Sequence, residues 1–392
     1  MVVQFAKRTS EIAPFRVMEV LKTAAELESA GHRVVHFEVG EPDFTTAAPI
    51  IKAGQLALAN GYTKYTQATG IEPLRLAISA HYKTMGVSVA PEQICVTSGA
   101  SAGLMMLSAL LLNPQDELLI TDPGYPCNEV FARTVGATPV RIPTSSNNRF
   151  QPVWEDLEAA WSAHTKGALL ASPANPTGTM LEAEVLKHLA AQIRQRDGAL
   201  ILDEIYQGLV SEAPYPTGLS VTSDLFVLNS FSKFFGMTGW RLGWIVVPHA
   251  AIEGITKLAQ NLFISPSTPA QYAALAAFEP EAMAIHESRA EIFRQRQALL
   301  MNGLKDLGFS IPVAPDGAFY LYVDVSHTRM KSSEFCHWLL TKHFVAVTPG
   351  EDFGDQDAQR YVRFAFTTDE DSIALGLQRL EQAMTELDVE DS

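Results

Sequence analysis

Between residues 92 and 247 short apolar runs alternate with stretches of helical periodicity, and this rhythm restricts the chain to an α/β fold. The strand-like runs are ICVTS at 94–98, ELLIT at 117–121, PVRI at 139–142, ALLAS at 168–172, ALILDE at 199–204, DLFVLN at 224–229 and LGWIVV at 242–247. Between them, apolar residues recur at helical spacing over 103–112, 154–163 and 182–196. Unbroken apolar runs suit strands covered on both faces, the situation of a mostly parallel sheet sandwiched by helices. After Pro280 the pattern changes to a long helical stretch reaching 307, strand-like FYLYVDV at 319–325, a helix near 332–343, strand-like VRFAFT at 362–367 and a terminal helix near 369–387. The expected architecture is a large domain over 46–285, built on a seven-stranded and mostly parallel sheet. A smaller α+β domain is expected from both termini, residues 1–45 and 286–392, since 392 residues exceed the size at which one core stops growing.

Charge and cysteine usage narrow the function classes. Lys and Arg number 29 against 44 Asp and Glu, a net charge of -15 with no basic cluster, which argues against a phosphate-backbone partner. Cys95, Cys127 and Cys336 are too widely spaced for a CxxC metal pair or a disulfide framework, as expected for buried thiols in a reducing compartment. The N-terminus lacks the apolar core of a signal peptide, and no run of about 18 apolar residues occurs, so the expected location is the cytoplasm.

Five segments carry candidate chemistry, and each falls where a strand run ends. SFSKFFGMTGWRLGW at 230–244 sets Lys233 among hydroxyl residues, with Arg241 eight positions later. A lysine there can form a Schiff base with an aldehyde, while hydroxyl and guanidinium groups hold a phosphate; alone, the segment equally describes a surface lysine on a turn. TSGAS at 97–101 opens a helix with small residues, which lets backbone amides approach a phosphate or merely packs tightly. DPGYPCNE at 122–129 offers Tyr125 for stacking on a planar ring, or as a structural aromatic. SPANPTG at 172–178 presents Asn175 on a restricted backbone, and LDEIYQG at 202–208 ends an apolar strand on Asp203 with Tyr206 three residues on. A carboxylate at that strand end could keep a pyridinium nitrogen protonated.

In this order SPANPTG, DEIY and SFSKxxGxxGWRLG resemble the class I and II aminotransferases, which are fold-type I pyridoxal phosphate enzymes. The resemblance extends from VGEPDF at 39–44 through YTQATG at 65–70 to YVRFAFT at 361–367. It implies that Lys233 binds pyridoxal 5'-phosphate covalently and acts as general base, that Asp203 pairs with the pyridine nitrogen, that Asn175 and Tyr206 hydrogen-bond the ring oxygen, and that Tyr125 stacks on the ring. Gly99, Ala100, Ser101, Ser230 and Arg241 would cradle the phosphate, with Tyr65 reaching it from the partner of a homodimer. Arg363, read by itself as a solvent-facing strand residue, would grip the substrate α-carboxylate with Gly40 and Asn175.

The implied reaction moves an amino group from an L-amino acid to a 2-oxo acid such as pyruvate or 2-oxoglutarate. Ser101 stands where some aspartate-specific relatives carry a lysine, and only Arg16 and Lys64 offer other cations near the pocket in the family pattern. An unpaired second carboxylate would be costly to bury, so a neutral or broad-range donor is expected. Aspartate transamination and carbon–sulfur β-elimination on the same fold are the alternatives. No metal site is expected.

Overall fold

The computed structural model describes residues 3–210 and 216–390. Its strands in chain order are β1 (Val35–His36), β2 (Ile94–Thr97), β3 (Glu117–Asp122), β4 (Thr138–Pro143), β5 (Thr165–Ala171), β6 (Ala199–Asp203), β7 (Phe226–Ser230), β8 (Gly243–Val246), β9 (Tyr320–Asp324), β10 (Val345–Ala346), β11 (Thr348–Pro349) and β12 (Tyr361–Ala365). Seven of them form one sheet in the order β2-β8-β7-β6-β5-β3-β4, in which only the pairings of β8 are antiparallel. The mostly parallel seven-stranded sheet expected from the apolar runs is therefore present.

Side-chain alternation explains why those runs are apolar throughout. Leu119, Leu170, Leu202, Val227 and Trp244 fill a core on one face. Their chain neighbours Leu118, Leu169, Ile201, Leu228 and Ile245 fill a second core on the other. Both faces are covered by helices, and strands in that position need apolar residues at odd and even positions alike. β5 begins three residues before its apolar run, because Thr165 and Lys166 disguise its first turn of pairing.

β9, β11 and β12 make a separate antiparallel sheet, and β1 pairs in parallel with β10. Phe293, Leu300 and Leu304 of the helix Pro280–Asp306 and Ile373 and Leu380 of the helix Glu370–Glu390 pack on Leu321, Val323 and Phe364. The helix Pro280–Asp306 runs unbroken through position 285, with Ala282 in the core of the large sheet and Ala290 in this third core. The N-terminal segment joins the same body, since Phe37 donates to the Ala346 carbonyl at 2.8 Å and accepts from the Ala365 amide at 2.7 Å.

His36 supplies a pH-dependent clamp there. Its Nδ1 lies 2.7 Å from Glu38 Oε1 and its Nε2 3.1 Å from Glu28 Oε1. The hydrogen bond to Glu38 outweighs the cost of burial and lifts the imidazole to about 9. A folded-state value above the unfolded one stabilises below the unfolded pKa and is lost as pH rises through the folded one. Urea unfolding should therefore show wild type losing about 1–2 kcal/mol relative to His36→Gln between pH 6.5 and 9.5, a figure reduced for screening at a partly exposed ring. Parallel curves for the two proteins would refute the clamp.

Candidate active site

The strand order brings the candidate segments to one edge of the large sheet. β3, β5, β6 and β7 run in the same direction, and their carboxyl ends carry Tyr125, Asn175, Asp203 and Ser230 respectively, the position where open α/β sheets bind ligands. Because β8 is antiparallel to both β7 and β2, its first residue Gly243 pairs with Ser230 and with Thr97. That register delivers Arg241 and the start of the helix Ala100–Leu111 to the same edge. A cavity of about 580 Å³ opens there, lined among others by Ala100, Ser101, Tyr125, Asn175, Asp203, Tyr206, Ser230, Lys233, Arg241 and Arg363.

One end of the cavity is built for an anion. Gly99 precedes the helix Ala100–Leu111 with φ +83°, and a Cβ placed on it would lie 2.6 Å from Arg241 Nη2. A Cβ on Gly243 would lie 3.0 Å from the Ala100 amide nitrogen. Both glycines thus allow helix-terminal amides, a guanidinium and the Ser230 and Ser232 hydroxyls to converge, an arrangement that suits phosphate.

At the centre, Lys233 Nζ donates to the Gly40 carbonyl at 2.6 Å. Burial, with Arg363 nearby, lowers its ammonium to about 8, so the neutral amine at pH 7 is roughly two orders of magnitude more abundant than for a solvated lysine. Asp203 is buried at the end of β6 and accepts from the Ile205 amide at 3.0 Å. Burial raises its carboxyl to about 7, against the pull of that amide and of Lys233. A buried carboxylate this weakly compensated fits a cationic ring nitrogen as its partner.

At the opposite end lies Arg363, which the strand pattern alone reads as facing solvent but which is only 6% exposed. Nη1 donates to Asn175 Oδ1 at 2.9 Å, and Nη2 to the Glu38 carbonyl at 2.6 Å and to Thr348 Oγ1 at 3.3 Å. The guanidinium lies 4.3 Å from the Tyr320 ring centroid and 4.8 Å from that of Phe353, which hold its plane. Such a fork suits a carboxylate through two parallel hydrogen bonds.

A lysine amine, a buried carboxylate, an anion cradle and a carboxylate fork thus share one cavity. Residues 32–380 match the profile of the family described as aminotransferase class I and II. The chain belongs to that family. It is a pyridoxal phosphate-dependent transaminase of fold type I. It is 37% identical to the (5-formylfuran-3-yl)methyl phosphate transaminase of Methanocaldococcus jannaschii, over 96% of this chain and 98% of that one. It is 35% identical to the valine–pyruvate aminotransferase of Mycobacterium tuberculosis, over 94% and 96%. The crystal structure of an aminotransferase from Mycobacterium tuberculosis superposes with a TM-score of 0.94 at 35% identity, covering 98% of this chain and all of that one.

The remaining candidates of this aminotransferase fall into three groups. Tyr125 lines the cavity beside Phe15, with ring centroids 6.2 Å apart and edge-on. The Tyr206 hydroxyl lies 2.9 Å from the Tyr320 hydroxyl, and Gly40 is tightly enclosed, since a Cβ there would lie 2.1 Å from that same Tyr320 oxygen. Tyr65 is 82% exposed and lies outside the cavity of its own chain, and Arg16 and Lys64 are also exposed and do not line it.

Sequence patterning missed Tyr320 and Thr348. Tyr320 sits in an apolar strand run and reads as core, and Thr348 precedes a proline-glycine turn. Neither carries a local signal, because each acts through a partner remote in the chain. Of the N-terminal stretch, Phe15, Val17, Met18 and Leu21 line the cavity.

Proposed function

We propose that this aminotransferase takes its amino group from a neutral L-amino acid, aliphatic or of broad range, and passes it to a 2-oxo acid such as pyruvate or 2-oxoglutarate in two half-reactions. The carrying observation is the makeup of the cavity wall. Its cations are Lys233, Arg241 and Arg363, each already committed to the cofactor or the α-carboxylate, while Phe15, Val17, Met18 and Leu21 give an apolar surface. Apart from Asp203, assigned to the ring nitrogen, the carboxyl groups there are those of Glu38 and Glu41, which would repel a second carboxylate. The name of the valine–pyruvate relative supports the same reading.

Bound pyridoxal phosphate supplies an aldehyde that accepts amino groups and a ring that draws electrons from the substrate α-carbon. Lys233 would hold it covalently and, when its amine is free, would serve as the base that takes the proton from the substrate α-carbon, work suited to an amine whose burial favours the neutral form. Asp203 would keep the ring nitrogen protonated, Asn175 and Tyr206 would hydrogen-bond the ring oxygen, and Tyr125 would stack on the ring. Ala100, Ser101, Ser230 and Arg241 would hold the phosphate, with Gly99 leaving room for it. Arg363, with Gly40 and Asn175, orients the α-carboxylate and therefore the α-hydrogen.

The enzyme acts as a homodimer in which Tyr65 completes the partner's phosphate site. This is supported by the exposed apolar side chains Ile51, Leu56, Leu58 and Tyr62 on the segment leading to Tyr65. Three free cysteines support a reducing, cytoplasmic location, and among the described residues no helix is long and apolar enough to cross a membrane.

A donor panel of aspartate, alanine, valine, leucine and methionine, followed by loss of the cofactor's near-visible absorbance, tests the substrate reading. The neutral donors should give the higher kcat/KM, and aspartate far above the others would reject it. Arg363→Lys should lower kcat/KM about 10- to 100-fold for every donor, mainly through KM, because a point charge cannot replace the fork. Unchanged KM would remove Arg363 from the carboxylate site.

A further inference from the structure

The wall formed by Phe15, Val17, Met18 and Leu21 belongs to the first turns of the helix Arg16–Ser29, whose packing on Val34, Leu340 and Ala346 comes from Val20, Ala24 and Leu27 and not from the wall residues. Ala24 is its one buried residue, Met18 is 60% exposed, and Phe15 at the N-cap has extended backbone and no side chain able to cap. The cap comes from the far end of the chain. Asp352 Oδ1 accepts from the Arg16 amide at 2.9 Å and Oδ2 from the Val17 amide at 3.2 Å, so one carboxylate satisfies two helix-terminal donors.

Asp352 is buried in the turn Gly350–Asp352 directly after β11, whose Thr348 hydroxyl accepts from Arg363. That turn has little freedom. A Cβ on Gly350 would lie 2.3 Å from the Ala358 carbonyl oxygen and 2.5 Å from that of Tyr361. Ser333 Oγ donates to Glu351 Oε1 at 3.1 Å, and the Phe353 ring supports Arg363 at 4.8 Å. A single rigid turn therefore sets both the carboxylate anchor and the wall at the side-chain end of the pocket.

We propose that Asp352 is a specificity-determining positioning residue: by capping the helix Arg16–Ser29 it fixes the apolar wall against which a large donor side chain packs, without touching the substrate. The proposal rests on the reading of that wall as the side-chain end of the pocket. On that reading a methyl group, as in alanine, would fall short of the wall, and leucine and methionine would reach it.

The test uses cofactor-loaded wild type, Asp352→Ala and Asp352→Asn, with leucine, methionine and alanine as donors. Loss of the cap should lower the leucine-to-alanine ratio of kcat/KM about tenfold in Asp352→Ala, through KM more than kcat, with Asp352→Asn between because it keeps one acceptor oxygen. Amide hydrogen exchange over residues 16–21 should quicken about tenfold in Asp352→Ala. A merely structural role would lower all donors alike, so an unchanged ratio overturns the proposal, as does unchanged exchange. Should Asp352→Ala not fold, Asp352→Asn carries both readouts. If wild type instead prefers aspartate, the neutral-donor reading fails on the wild-type panel, and exchange over 16–21 alone decides whether Asp352 positions the wall.

Discussion

Replacing Lys233 by alanine is expected to cut transamination by about 10⁴-fold or more, because in the proposed mechanism one amine would provide both the covalent hold on the cofactor and the proton transfer at the substrate α-carbon. The phosphate cradle is expected to survive in this variant, since the hydrogen bond lost with Nζ runs to the Gly40 carbonyl and not to Gly99, Ser230 or Arg241. Cofactor should therefore still bind, but by non-covalent contacts alone. Borohydride reduction followed by mass spectrometry separates the two effects: wild type retains the cofactor's added mass on the peptide containing Lys233, and Lys233→Ala retains none. Turnover within tenfold of wild type would place the chemistry on another residue.

Asp203→Asn is expected to lower kcat by about 10³-fold while leaving the fold intact, as for other preorganised charges removed from a dry site. The carboxyl sits at about 7 because burial disfavours its charge. A folded-state pKa above the unfolded value means that stability present below the unfolded pKa is lost as pH rises towards 7. In cofactor-free protein at pH 8, Asp203→Asn should consequently be at least as stable as wild type, although far less active. Thermal unfolding at pH 8 and steady-state rates measure both. A loss of stability that accounts for the loss of activity would show Asp203 to be structural.

Much of the large sheet was legible because its signals are local. Alternation within each strand of β3, β5, β6 and β7 requires apolar residues on both faces, and that requirement is written in consecutive positions such as 199–202. The helices at 183–195 and 332–343 were legible for the same reason, their periodicity being contained in about a dozen residues. The expected boundary at 285 falls inside the helix Pro280–Asp306, because a helix that packs on two cores shows no break in its own periodicity. Arg363 was ambiguous on local grounds: alternation with Val362 and Phe364 says which face it shares, but burial of that face depends on Tyr320, Phe353 and Glu38.

The sequence by itself determined the fold class and the placement of the candidate segments at strand ends, since both follow from short-range periodicity, whereas Lys233, Asp203 and Arg241 stood out only through the ordered resemblance to the aminotransferases, each segment alone also describing an ordinary turn. Only the tertiary structure decided how Arg363 is held, that Tyr320 meets Tyr206, and that Asp352 caps a helix 336 residues away. Those pairings come from separate segments whose approach is set by sheet order and by packing of the two bodies, and no local pattern records a distance closed by folding.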